Sequence, residues 1–280
     1  MAKTAFITGA NSGVGLALTN LFLSRGWNVA ATARDSSSPN LQNLASESEA
    51  LIVQHLDLSD QTTFQPALDG AIEKFGKIDV LINNAGYGQF GVLEHLDIDT
   101  IRKSFEVNVF ETNSPSRIIY VGSGASHFGL PLLGTYSASK AAMNLFMESL
   151  VYEMEAVDPP IKVKLVCPHG GITETNFSQT SMQLAGMDQM APGVHERYGA
   201  FMKRTMQRFG VMQGQSMSAV EAAETVWTAA TDQDATKLRY FVGPRDGGLN
   251  LQRRMRGGQT GEDADEVDRR YMEDMRATYM

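Results

Sequence analysis

The chain has 280 residues, above the usual size of a single domain but within reach of one large α/β unit with a sizeable core. Lys and Arg number 24 against 32 Asp and Glu, a formal charge of −8 that disfavours nucleic acid and anionic membrane as partners. A single cysteine, Cys167, excludes an internal disulfide and suits a reducing, cytoplasmic setting, and five scattered histidines offer no metal-ligand spacing.

The amino terminus leads directly into an apolar run, Ala5-Phe6-Ile7, with no cleavable leader in view. Thr8-Gly9-Ala10-Asn11-Ser12-Gly13-Val14-Gly15 follows, and then a helical pattern carrying Leu16, Leu18, Leu21, Phe22 and Leu23. A strand feeding a glycine-rich turn that opens a helix lets backbone N–H groups and the helix dipole hold a pyrophosphate. Gly9, Asn11, Ser12, Gly13, Val14 and Gly15 are therefore candidate cofactor contacts, although the spacing is G-x-x-x-G-x-G rather than the commoner G-x-G-x-x-G. Strand and helix patterns then alternate, with strands predicted near 4 to 8, 28 to 32, 51 to 55, 78 to 82, 117 to 122, 161 to 167 and 239 to 242. That alternation argues a doubly wound parallel sheet with helices on both faces, a Rossmann-like α/β fold. No apolar run approaches the roughly 18 residues that cross a bilayer.

The second strand ends Thr32-Ala33-Arg34-Asp35. An acidic residue at this tip would chelate the ribose hydroxyls of NAD, but the place falls to Thr32 or Ala33, and Arg34 beyond it suits a 2′-phosphate. NADP is thus expected over NAD, with Asp35 partly offsetting the arginine. Further on, Tyr136-Ser137-Ala138-Ser139-Lys140 opens a helix, so Tyr136 and Lys140 project from one face. An ammonium beside a phenol favours the phenolate, which makes tyrosine a usable acid/base. Ser123, thirteen positions earlier and beyond the apolar strand Ile118-Ile119-Tyr120-Val121, can donate to a carbonyl oxygen where negative charge develops.

Together with Asn83-Asn84-Ala85-Gly86, these motifs resemble the short-chain dehydrogenase/reductase family, in matching order from about residue 3 to about residue 178. The resemblance implies a nicotinamide-dependent oxidoreductase with a Ser123, Tyr136 and Lys140 site. In it Lys140 also holds the nicotinamide ribose, and Asn108 completes a proton relay through water. It places Asn84 and Asp57 against the cofactor, Asp57 at the adenine ring. The segment Pro168-His169-Gly170-Gly171-Ile172-Thr173-Glu174-Thr175 is similar to the family's loop over the nicotinamide, interrupted by His169; Ile172 and Thr175 are its expected contacts, with Thr173 the alternative to Thr175.

Residues 176 to 218 read as an irregular, methionine-rich stretch containing Met182, Met187, Met190, Met202, Met206, Met212 and Met217, either a lid over an apolar substrate or ordinary core filling. The catalytic domain is expected over 1–250, with 251–280 a charged helix or tail in which Val267, Tyr271 and Met275 form a stripe. One departure from the family stands out. Between Asn108 and Arg117 lies only Val109-Phe110-Glu111-Thr112-Asn113-Ser114-Pro115-Ser116, shorter by roughly a dozen residues, or about three helical turns, and near the minimum for a parallel crossover. Loss of that helix would remove a usual subunit interface, so a homo-oligomer is doubtful. The expected reaction interconverts a small or medium apolar ketone or aldehyde and an alcohol. The competing readings are a non-catalytic dinucleotide-binding protein with Asn108 displaced, and isomerase or lyase chemistry on the same tyrosine.

Overall fold

The computed structural model describes residues 2–94, 96–109, 117–156, 161–175, 177–184, 192–212, 216–235 and 237–243. Seven parallel strands form one sheet: β1 (Thr4–Ile7), β2 (Asn28–Ala33), β3 (Leu51–His55), β4 (Val80–Asn83), β5 (Arg117–Val121), β6 (Lys162–Pro168) and β7 (Arg239–Val242), in the order β3-β2-β1-β4-β5-β6-β7. The helices are α1 (Gly13–Ser24), α2 (Pro39–Glu47), α3 (Phe64–Phe75), α4 (Ile98–Val109), α5 (Gly134–Glu155), α6 (Phe177–Leu184), α7 (Pro192–Met212) and α8 (Ala219–Thr231).

Alternation along each strand divides the core into two layers. Ala5 and Ile7 of β1, and Ile119 and Val121 of β5, face α1 and α8. Phe6 faces α3, while Ile118 and Tyr120 face α5 among Met143, Met147 and Leu165. A parallel sheet buried on both sides needs such near-continuous apolar strands. Two buried cations also lie in the strands. Arg117 donates to the carbonyls of Ala229 and Asp232 at the end of α8, and Lys164 reaches the carbonyls of Asp234 and Lys237.

The predicted strands recur within two residues at either end. Elsewhere the structure corrects the sequence reading. The region from 176 is not irregular: α6 and α7 occupy most of it, joined to the core by Met202 and Met217. Cys167 is buried in β6, as its place in an apolar strand leads one to expect, and burial pushes its thiol up to about 12. The connection from Asn83 to Arg117 far exceeds the dozen or so residues a parallel crossover needs, so it is not near that minimum. The shortened stretch after Val109, like Met187, Met190 and the tail from 251, lies outside the described residues.

Strand order places the site. β1 sits between β2 and β4, so successive connections leave it toward opposite edges, and a crevice opens beyond the carboxyl ends of β1 and β4.

Candidate active site

The glycine turn between β1 and α1 is fixed by contacts that tolerate no side chain. Gly9 (φ +65°) and Gly13 (φ +52°) adopt left-handed backbone, which an L side chain resists. At Gly15 a Cβ would lie 2.1 Å from the Gly9 carbonyl oxygen and 2.7 Å from Asn84 Nδ2. Asn84 braces this turn from β4: its Nδ2 donates to the carbonyls of Thr8 (2.9 Å) and Gly9 (3.3 Å), while Thr8 Oγ1 accepts from the N–H groups of Asn84 and Ala85. Val14 points into the core, so only its main chain is available to a ligand. Ser12 caps α1 with no side-chain hydrogen bond, which leaves the helix N–H groups to be met by something else.

At the tip of β2 the Thr32 hydroxyl is buried and donates to the Ile7 carbonyl at 3.1 Å, and Ala33 is buried as well. Arg34 and Asp35 are the first exposed residues, and Asp35 Oδ1 is held by the Ser37 N–H and hydroxyl. Asp57 lies at the end of β3. Burial raises its pKa, but hydrogen bonds from Ser59 and the charges of Arg34 and His55 outweigh that and hold its carboxyl below the usual range.

In the loop after β6, Gly170 and Gly171 take positive φ, and Ile172 pairs with Met217 in a short parallel bridge. The Thr173 hydroxyl turns onto the Met217 carbonyl. Thr175 instead abuts the glycine turn, where a Cβ on Gly13 would come within 2.9 Å of its Cγ2. Of the two threonines, Thr175 is the one beside the phosphate turn. His169 packs on Gly124, where a Cβ would be 2.3 Å from its Nδ1, which explains the interrupted motif: ring and glycine fit each other.

Ser123 and Tyr136 meet from β5 and α5. Ser123 Oγ accepts from the Ala125 N–H at 3.1 Å, and the Ser123 side chain pulls the pKa of the Tyr136 phenol down. Tyr136 is buried among Phe90, Val92, Leu132, Val194 and Met202, with the Phe177 ring 5.3 Å away edge-on. The lowered phenol pKa expected from Lys140 is not what the structure holds. Burial pushes Tyr136 up to about 12, with Ser123 the only group pulling it back. Lys140 is itself buried and pushed down to about 7. Its Nζ donates to Tyr120 Oη (2.8 Å) and to the Val121 carbonyl (3.3 Å).

Asn108 is in place near this pair. Its Oδ1 accepts from the Tyr87 N–H, its Nδ2 donates to the Tyr87 carbonyl and to Ser139 Oγ, and its own carbonyl accepts from the Tyr120 hydroxyl at 3.0 Å. Tyr120, Ser139 and Phe177 went unread in the sequence as site residues. The only available signal for Tyr120 was a phenol in an otherwise apolar strand.

α6 and α7 roof the site. The Gly88 N–H donates to Ser181 Oγ, and Glu94 takes hydrogen bonds from Arg197 and Tyr198 of α7. Both contacts tie the roof to the loop following β4.

The switch point of the sheet thus lies at a glycine turn, with Ser123, Tyr136 and Lys140 near the adjoining strand end of an α/β fold. The family model described as short chain dehydrogenase matches residues 3–184, and the chain belongs to that family. It is 30% identical over 259 residues to an oxidoreductase, BOA17, of Botryotinia fuckeliana, spanning 87% of this chain and 90% of the relative. Among solved structures, a short chain dehydrogenase/reductase from Burkholderia phymatum in complex with NAD aligns at a TM-score of 0.73 and 21% identity, covering 94% of this chain and 98% of the other. An alcohol dehydrogenase from the archaeon Thermococcus sibiricus, complexed with 5-hydroxy-NADP, aligns at 0.65 and 21%, covering 87% and 97%. A nicotinamide dinucleotide fits the residues here: the N-terminus of α1 has no side-chain cap, and Gly9, Gly13 and Gly15 leave the turn bare at three positions. Among the described residues, no helix is long and apolar enough to cross a membrane.

Proposed function

We propose that this chain is an NADP(H)-dependent carbonyl reductase or alcohol dehydrogenase acting on a small or medium apolar substrate. The observation that carries the reading is the Tyr136 phenol, buried in an apolar wall one helical turn from the buried Lys140 and acted on by the Ser123 side chain. A bound nicotinamide supplies or accepts the hydride at the reacting carbon. The chain does the rest. Gly9, Asn11, Ser12, Gly13 and Gly15, with the main chain of Val14, hold the pyrophosphate; Thr175 and Ile172 close over it; Asp57 and Asn84 frame the adenine side and the turn. Ser123 donates to the substrate oxygen, and Tyr136 gives that oxygen its proton on reduction or removes it on oxidation.

Phe90, Val92, Leu132 and Met202 around Tyr136 favour an apolar substrate. A phenol held up to about 12 is protonated at neutral pH and so carries the proton that carbonyl reduction requires. Scanning ketones, aldehydes and alcohols for NADPH or NADP turnover tests the proposal, and no turnover on any of them would defeat it. It would also separate the reading from isomerase or lyase chemistry, which consumes no cofactor. The non-catalytic alternative is disfavoured because Asn108 keeps its bonds to Tyr87, Ser139 and Tyr120 despite the short crossover.

NADP over NAD rests on Arg34, exposed at the strand tip while Asp35 is engaged by Ser37. Arg34→Ala is expected to weaken NADPH by roughly 10- to 100-fold, the scale of a hydrogen bond to a charged group, and to leave NADH nearly unchanged. Equal weakening in a fluorescence titration would reject the assignment.

The protein is further expected to be monomeric or prone to aggregate. α5 leaves Leu145 (66% exposed), Phe146 (45%) and Tyr152 (76%) in solvent. A stable interface generally needs about 800 Å² from each partner. Light scattering that finds a tight, fully active dimer would show that the short crossover is accommodated.

A further inference from the structure

We propose that Tyr120 is a positioning residue of this site: its hydroxyl joins the Lys140 ammonium to the main-chain carbonyl of Asn108 and so keeps Lys140 oriented and charged. The sequence reading expects a relay through water between Asn108 and the lysine. In the structure a phenol oxygen fixed to β5 takes that place.

The geometry is a chain of two hydrogen bonds. Lys140 Nζ donates to Tyr120 Oη at 2.8 Å, and the Tyr120 hydroxyl donates onward to the Asn108 carbonyl at 3.0 Å. A phenol that donates to a carbonyl becomes a better acceptor, because successive hydrogen bonds polarise one another.

Lys140 needs that acceptor. It is almost fully buried, and burial pushes its pKa down, with neither a carboxylate nor a second cation among the causes of that shift. The groups around it are few. α5 itself presents Tyr136, four residues back; β5 presents Tyr120 and the Val121 carbonyl; α4 presents Asn108; and the loop after β4 presents Gly86, where a Cβ would sit 3.3 Å from Nζ. Neutral oxygens therefore do all the stabilising of a buried charge, and the shorter of the two bonds is to Tyr120. The phenol is locked there, 3% exposed and packed with Ile118, Met143 and Met147.

Removing the hydroxyl takes an acceptor from the charged form, so the affinity of Lys140 for its proton must fall. The test is a pH titration of lysine-selectively labelled protein by NMR, with Lys140→Arg assigning the resonance. In Tyr120→Phe the Lys140 midpoint is expected to move down by about one pH unit, a tenfold change. An unchanged or raised midpoint would overturn the proposal. If Tyr120→Phe does not fold, 3-fluorotyrosine placed at 120 keeps the shape and weakens the oxygen as acceptor; a smaller downward shift is then expected, and no shift is the overturning result.

This inference rests on the reading of Tyr136 and Lys140 as the reacting pair, and the two fail separately. The titration uses neither substrate nor cofactor, so absence of turnover would sink the functional reading while the titration still decides the role of Tyr120. Where a substrate is found, a less charged Lys140 gives less support to the Tyr136 phenolate, and the acid limb of alcohol oxidation in Tyr120→Phe should move to higher pH, with turnover recovered in alkali. A rate loss equal at every pH would mark Tyr120 as merely structural.

Discussion

Tyr136→Phe is expected to lower turnover by about 100-fold or more while leaving NADPH affinity nearly unchanged. The substitution keeps the ring, and with it the packing against Phe90, Leu132, Met202 and the Phe177 edge. What goes is one hydroxyl, the group proposed to exchange the proton with the reacting oxygen. Such a group acts mainly in the transition state, so its loss falls on kcat rather than on ground-state binding. Thermal unfolding should barely move, because the Ser123 hydroxyl can turn toward a bound substrate or solvent. Steady-state kinetics with a fluorescence titration of the cofactor provides the check, and turnover within a few-fold of the parent would remove Tyr136 from its role. Wild-type pH dependence gives a second reading of the same group. A phenol held up to about 12 is protonated throughout the neutral range, so carbonyl reduction should be flat there while alcohol oxidation climbs with pH.

Most of this site was legible because it depends on local spacing. Tyr136 and Lys140 share a helix face by sequence separation alone. The glycine turn announces itself because few other residues tolerate φ near +60° or the approach of Gly15 to the Gly9 carbonyl. Strands of a doubly covered parallel sheet read as apolar runs, and all seven were placed that way. What escaped depends on contacts between distant segments. Whether Thr173 or Thr175 meets the phosphate turn is decided by the bridge from Ile172 to Met217, more than forty positions apart. α6 and α7 lacked a clean apolar period, because their faces are shared between Gly88, Glu94 and the cluster around Tyr136. Tyr120 looked like one more core residue in Ile118-Ile119-Tyr120-Val121. Its side of the strand follows from alternation, but the lysine and carbonyl that meet its hydroxyl come from two other helices.

Gly15→Ala should abolish measurable cofactor binding, with a loss of about 100-fold or more in NADPH affinity. Gly15 has ordinary helical backbone, so the effect is one of space and not of conformation. A Cβ there would lie 2.1 Å from the Gly9 oxygen, 2.8 Å from its carbon and 2.7 Å from Asn84 Nδ2. Backbone cannot yield as a side chain does, so either the first turn of α1 lifts away from the glycine turn or Asn84 leaves Thr8 and Gly9. Both outcomes misplace the N–H groups meant for a pyrophosphate. Overpacking of this kind typically costs about 1–3 kcal/mol of stability, enough to see in a melt and too little to unfold the domain. Gly26→Ala is the control, since Gly26 has φ +75° with nothing within 4 Å. It pays only for strained backbone, roughly 1 kcal/mol, and should bind NADPH like the parent. If Gly15→Ala also binds like the parent, the turn is not the cofactor's cradle, and the contacts assigned to Gly9, Ser12 and Gly13 fall with it.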